Sequence, residues 1–174
     1  MSGRREVDRH AAFESILRQH EKLVLRVAWR LLGRWEDAQD AAQEVFLKLY
    51  RNMDRIEDPE RPGAWLYKVT LNVCRDIGRR RKPVEPIVVE PASGGASAFD
   101  GLEQEDRLQM LTQGLETLAE RERQALVLRD IEGLPGSEVA AIMGTAEVTV
   151  RGHIAAARLK LKKFIEQRER RARQ

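Results

Sequence analysis

The sequence predicts an all-α protein: two small helical domains joined by an acidic flexible linker. Three observations carry that expectation. Apolar residues recur at three- and four-residue steps along most of the chain. The composition is rich in Ala, Leu, Glu and Arg, which are strong helix formers, and aromatic residues reach only 5%, which disfavours an aromatic-rich β-sandwich. Between Pro83 and Asp106 the composition changes abruptly: Lys and Arg vanish while Glu85, Glu90, Asp100, Glu103, Glu105 and Asp106 accumulate. Pro83, Pro86, Pro91 and the small-residue run Ser93 to Ser97 make the first part of that stretch a spacer. The domain limits that follow are 7–82 and 102–170, with the linker over 83–101.

The totals narrow the class further. A length of 174 residues leaves room for two small domains. The formal net charge is only +3, but 34% of the residues are charged, so what matters is where the charges fall. Cys74 is the single cysteine and cannot form an internal disulfide, so nothing asks for an oxidising compartment. Met1 to Asp8 is charged and lacks the apolar core of a signal peptide. No apolar run approaches the roughly 20 residues that span a bilayer. The expectation is a soluble cytoplasmic protein without membrane insertion.

The first helical stretch, 7–32, carries Phe13, Ile16, Leu17, Val24, Val27, Ala28 and Leu31 as apolar positions, with Gly33 as its stop. The polar run Arg18 to Lys22 allows one bent helix or two. Glu36 to Tyr50 opens with acids, which the helix dipole favours there. Ala38, Ala42, Val45 and Leu49 make a seam whose small residues permit close packing. Asp40, Gln43, Glu44 and Leu47 lie away from it, as plain solvent surface or as a docking face. Pro59, Pro62 and Gly63 break the pattern between Asn52 and Gly63. That loop is either a connector or a place to capture a ligand or an unstacked base.

Trp65 to Lys82 has two faces. Trp65, Leu66, Val69, Val73 and Ile77 recur at helical steps as a buried stripe. Lys68, Asn72, Arg75 and Arg79 form a second stripe of cations and one amide, with no acid, running into Arg80, Arg81 and Lys82. Such a face suits phosphate tracking and base reading. A solvated helix with a basic last turn, which the dipole favours, accounts for the same pattern.

In the second half, Leu102, Leu108, Leu111, Leu115 and Leu118 make a helical stripe, and Arg121 to Arg129 a short second helix. Glu132 to Gly136 is a turn, Ser137 to Met143 a third helix closed by Gly144 and Thr145, and a long last helix begins near Glu147. Val150, Ile154, Ala157, Leu161 and Phe164 would be its buried side. A short helix, a glycine turn and a longer helix make the helix-turn-helix pattern. Its second helix would offer Thr149, Arg151, Gly152 and His153 to the major groove, with phosphate contacts from Arg158, Lys160, Lys162 and Lys163.

Signs of catalysis are missing. His10, His20 and His153 are scattered, and one cysteine rules out a zinc-finger spacing. There is no Gly-rich phosphate loop and no nucleophile elbow. Cys74 sits beside Arg75, but a lone helical cysteine is most simply packed and inert. The expectation is therefore no enzyme, no cofactor and no metal.

Two separated stretches together resemble one family, the extracytoplasmic-function (ECF) group of bacterial RNA polymerase sigma factors. Leu31 to Tyr50 followed by Ala64 to Arg81 is similar to the family's region 2. Leu118 to Leu134, continued through Val139 to Gly144 and on to Arg151, is similar to its region 4. The order of the two and the linker between them fit this group. The resemblance implies a factor that binds core RNA polymerase and directs promoter-specific initiation. By motif, Asp40, Gln43, Glu44, Phe46 and Leu47 would face the clamp helices of the polymerase β′ subunit. Lys68, Asn72, Arg75, Arg79 and Arg80, with the loop Asn52 to Gly63, would hold the −10 element and its unstacked bases. Thr149, Arg151, Gly152, His153 and Arg158 would meet the −35 element, and region 4 would also touch the β flap. The acidic linker would follow the polymerase's basic RNA path. An anti-sigma factor is an expected partner.

Some positions depart from the family's pattern. Arg34 and Trp35 stand where an Asp-Pro helix start is usual, and Pro135 replaces a usual Ser. Ala146 replaces the Ser that caps the recognition helix, with Thr145 as its substitute; loss of a cap costs about 1 kcal/mol. Ala155 and Ala156 occupy positions of larger DNA-contacting residues, and Gly152 weakens the helix by roughly 1 kcal/mol against Ala. These changes predict weak or unusual −35 readout, with Arg151 the main base contact. Two other readings compete: a plain helix-turn-helix regulator, and a degenerate sigma paralogue that acts by protein interaction only.

Overall fold

The computed structural model describes residues 2–56, 62–80 and 98–173, and the chain divides into two compact units, Met1–Lys82 and Pro83–Gln174. Among the described residues every regular element is helical. The centre of the expected loop (57–61) and most of the expected acidic linker (83–97) lie outside the described residues.

The first unit is a three-helix bundle of α1 (Ser2–Leu32), α2 (Trp35–Asn52) and α3 (Gly63–Arg80), with a single 3-10 turn at Met53–Arg55 after α2. All three helices pack on one another. The joint suspected at Arg18 to Lys22 does not exist, and α1 is one helix. Arg18 bonds Glu14, and Gln19 bonds Ser15, each at 3.2 Å, so the polar run is stitched along the helix surface. Gly33 ends α1 with φ of 73°, a left-handed conformation that needs glycine, and its N–H reaches the Trp29 carbonyl at 2.7 Å. Ala38, Ala41 and Ala42 of α2 are buried, and their small side chains let the helix axes approach.

The inner side of α3 is rotated from the expected stripe. Leu66, Tyr67, Thr70, Leu71, Val73 and Cys74 are buried, whereas Trp65, Val69 and Ile77 are only half-buried. Thr70 can sit in the core because its hydroxyl donates to the Leu66 carbonyl at 2.7 Å, which satisfies the polar atom within the helix. Burial pushes the Cys74 thiol up to about 12, so the expected inert cysteine is what the core contains.

The second unit contains α4 (Ala98–Glu116), α5 (Glu120–Leu126), α6 (Gly136–Met143) and α7 (Glu147–Ala172). The expected second helix changes type after Leu126: Val127–Ile131 is a π-helical turn, in which the Glu132 N–H reaches back to the Val127 carbonyl at 2.9 Å. Leu115, Leu118, Leu126, Val127, Leu128, Val139, Val150, Ile154 and Ala157 form the core. Of the expected leucine stripe on α4, Leu115 and Leu118 are buried, but Leu108 and Leu111 are half-exposed and the Leu102 side chain lies outside the described residues. Gly114 lets α4 lie close against α7, since a Cβ there would come within 2.9 Å of the Leu161 side chain.

Gly144 closes α6 with φ of 62°. Arg121 donates to the Met143 carbonyl at 3.0 Å, a cation at the negative end of the helix. Ala146 caps α7 with no side-chain hydrogen bond, so Thr145 does not take over the missing cap. No described helix is long and apolar enough to cross a membrane.

Candidate nucleic-acid and polymerase interface

The first unit presents two candidate faces. On α2, Asp40 and Gln43 are exposed, Leu47 is 49% exposed, and Glu44 is half-buried with its carboxylate 3.2 Å from Lys48. Phe46 turns inward and is only 7% exposed. It forms the floor of an apolar groove of about 470 Å³ with Phe13, Leu17 and Leu25 of α1 on one side and Gln43, Leu47 and Tyr50 of α2 on the other. The groove thus gathers Gln43, Phe46 and Leu47 and leaves out Asp40 and Glu44. Sequence periodicity placed Phe13 and Leu17 in the core; both are half-exposed and wall this groove. Its end is fixed by Arg9, which donates to the Tyr50 carbonyl at 2.7 Å, lies over the Tyr50 ring at 5.2 Å and pairs with Asp54 at 3.2 Å. Phe13 meets the same ring edge-on, with centroids 5.2 Å apart.

The second face is the outward side of α3. Lys68, Arg79 and Arg80 are exposed; Asn72 and Arg75 are half-exposed. Arg75 donates to the Asn72 amide oxygen at 2.8 Å, which leaves the amide N–H groups as the donors Asn72 can offer. The rotation of α3 brings Trp65 and Val69 into the arc beside Asn72, an addition that a reading of them as core residues could not make. It also brings in Asp76, half-exposed, so the arc is not free of acid.

In the second unit, α6, the Gly144 turn and α7 make a helix-turn-helix. Thr149, Arg151 and Gly152 are exposed on the first turns of α7, and His153 is half-buried. Arg158 is not a free cation: it grips Asp130 with two hydrogen bonds of 2.8 and 2.7 Å, and these bonds raise its pKa. Lys160 reaches both oxygens of Glu122, at 2.9 and 2.7 Å. Glu122 also accepts the Ala119 N–H at 3.0 Å, and its pKa is lowered mainly by the Lys160 hydrogen bond. Two of the four cations expected on phosphates are therefore held by carboxylates of the same unit. Lys162 lies 3.9 Å from Glu166, a loose exposed pair. Arg151 and Lys163 carry no ion pair among the described residues. No group of three or more His, Cys, Asp and Glu side chains among the described residues is placed to hold a metal ion.

A three-helix unit with a basic, amide-bearing face, in one chain with a helix-turn-helix unit, defines a DNA-binding transcription protein. Residues 16–83 match the Sigma-70 region 2 family and residues 108–161 the Sigma-70 region 4 family. The RNA polymerase sigma-E factor of Streptomyces avermitilis is 32% identical over 157 residues, which cover 90% of this chain and 87% of that one. The ECF sigma factor SigE of Mycolicibacterium smegmatis is 31% identical over 159 residues, 88% of this chain but only 62% of the longer relative. Among solved structures, CnrH in complex with the cytosolic domain of CnrY superposes with a TM-score of 0.68 at 26% identity, covering 91% of this chain and 90% of that one. The chain belongs to the ECF family of RNA polymerase sigma factors. Members of this family are promoter-specific initiation factors; they recognise DNA as subunits of RNA polymerase and are not themselves enzymes.

Proposed function

We propose that the two units divide the work of initiation between three faces. The groove between α1 and α2, edged by Gln43, takes an amphipathic helical segment of the polymerase β′ clamp, with Leu47 as the apolar anchor and the exposed Asp40 outside the groove on the same helix. The outward arc of α3 holds the melted −10 strand: Lys68, Arg79 and Arg80 on phosphates, Asn72 on a base edge and the Trp65 ring against an unstacked base. Unpairing bases costs a few kcal/mol, which stacking and base-edge hydrogen bonds offset. The first turns of α7 lie at the −35 element, and the same unit meets the β flap. In holoenzyme the chain acts in the cytoplasm, on the nucleoid.

The observation that carries this assignment is the pairing, on one small bundle, of an apolar groove with a separate cationic face organised around Asn72. A plain helix-turn-helix regulator has no use for either face. An anti-sigma factor is the third partner we propose. The exposed apolar groove supports it, and CnrH, of like fold, has been solved with the cytosolic domain of CnrY. Run-off transcription over a genomic DNA library, with purified sigma-free core polymerase, tests the function. Discrete transcripts with upstream protection at −10 and −35 are the expected result. Core binding without any transcript would overturn it in favour of an interaction-only paralogue.

A further inference from the structure

The exposed face of α7 is unusual for a helix that enters DNA. Val148, Gly152 and Ala155 fall within one narrow arc of its first turns, at steps of four and three residues. None of their side chains can donate or accept a hydrogen bond. Val148 is 65% exposed, a large aliphatic residue left in water by the folded unit. Gly152 is equally unexplained by internal packing. A Cβ there would meet nothing within 4 Å, and glycine weakens a helix interior, so no neighbour in the fold requires it. What glycine does allow is closer approach of the helix backbone to an outside surface. Arg151 borders this arc on one edge, and Lys163 follows about two turns further along the helix; neither carries an ion pair among the described residues. An uncharged arc with a free cation at its edge and another beyond its end fits the floor of a major groove, with the cations toward the phosphates.

We infer that this chain selects its −35 element through thymine methyl groups, with Val148 the specificity-determining side chain and Gly152 the point of closest approach. The inference rests on the placement of α7 at the −35 element proposed above. In the major groove the C5-methyl of thymine is the one base-edge feature that an alkyl group recognises. A run of A·T pairs with thymines facing Val148 and Ala155 is the matching sequence. Arg151 then supplies a phosphate or flanking-base contact and does not set the identity of the central pairs.

The test uses holoenzyme on a promoter recovered from the run-off library, with each −35 thymine replaced by deoxyuridine, which removes only the methyl. The wild-type chain is expected to lose about fourfold in upstream affinity per contacted methyl, the worth of one buried methyl-sized group. Val148→Ala is expected to lose the discrimination at the thymine that faces position 148 and keep it at the one that faces Ala155, and Val148→Thr, which keeps one methyl, to retain part of the discrimination at the first. Gly152→Ala is expected to raise the thermal stability of the chain while weakening −35 protection. Wild-type footprints that cover −35 yet ignore the methyls would overturn the inference and leave α7 at the −35 element. Unchanged discrimination at every −35 thymine in Val148→Ala would remove Val148 from the role. Absence of any upstream footprint would overturn both the inference and the placement of α7.

Discussion

Arg75 and Asn72 act as one group: the guanidinium donates to the amide oxygen at 2.8 Å, one helical turn apart on the outward arc of α3. The bond fixes the orientation of the amide, so in the −10 role proposed above its N–H donors would meet a base edge without an ordering cost at the moment of contact. Asn72→Ala should therefore lower open-complex formation about tenfold, the worth of one or two lost hydrogen bonds to a base. Core polymerase binding should be unchanged. Arg75→Ala should give a smaller loss of the same kind, because the amide then rotates freely. Permanganate reactivity of the promoter bubble, measured beside a core-binding titration, checks both. A normal bubble in Asn72→Ala would remove Asn72 from the −10 contact.

Asp76 is the acid that shares this arc with Lys68, Asn72 and Arg79. A carboxylate facing a phosphate backbone repels it and cancels part of one cation. Asp76→Asn should tighten promoter binding and steepen the dependence of log affinity on log salt by up to about one unit. Holoenzyme retention on promoter DNA across a salt series measures this. An unchanged slope would place Asp76 away from the phosphates.

The helix pattern was largely legible because its period is strong: Ala38, Ala42, Val45 and Leu49 are all buried, as are Val150, Ile154 and Ala157. The rotation of α3 was not. Thr70 and Cys74 count as weakly apolar by type, yet an internal hydrogen bond and small size make them core residues, while Trp65 and Val69 are apolar by type and turn outward. Periodicity also cannot separate a groove wall from a core, so Phe13 and Leu17 were misplaced. The partners of Arg158 and Lys160 lie 28 and 38 residues away, beyond any local spacing rule, so their pairing with Asp130 and Glu122 was invisible. For the candidate sites, the sequence marked Gln43, Phe46, Leu47 and Asn72 through motif resemblance, and the structure adds the α1 wall that no motif recorded.

Leu47 separates folding from partner binding. It is 49% exposed and lines the groove without entering the core. Leu47→Glu should leave the melting temperature nearly unchanged, since substitutions at such positions fall within about 0.5 kcal/mol. It should weaken core polymerase binding at least tenfold, because it places a charge where an apolar anchor is desolvated. Differential scanning calorimetry and fluorescence titration against core enzyme read the two effects separately. A wild-type affinity would exclude the groove from the polymerase contact.

Glu122 ties the start of α5 to α7 through Lys160, and the hydrogen bond from Lys160 is the main reason its pKa lies below the ordinary 4.5. A carboxylate whose pKa is lower in the folded state binds fewer protons folded than unfolded. Its stabilising contribution is therefore complete above about pH 4.5, the unfolded value, and is lost as the pH falls through the folded value. The pair is partly open to solvent, with Lys160 46% exposed, so screening keeps the effect small. Glu122→Gln removes the charge at every pH while keeping an acceptor for the Ala119 N–H. The variant should melt below the wild type at neutral pH and converge with it as the acid range is entered. Thermal unfolding of both chains from pH 7 down to about pH 3, at low salt, gives the comparison. A difference that stays constant across the series would mean that the Lys160 pairing contributes nothing to the folded state.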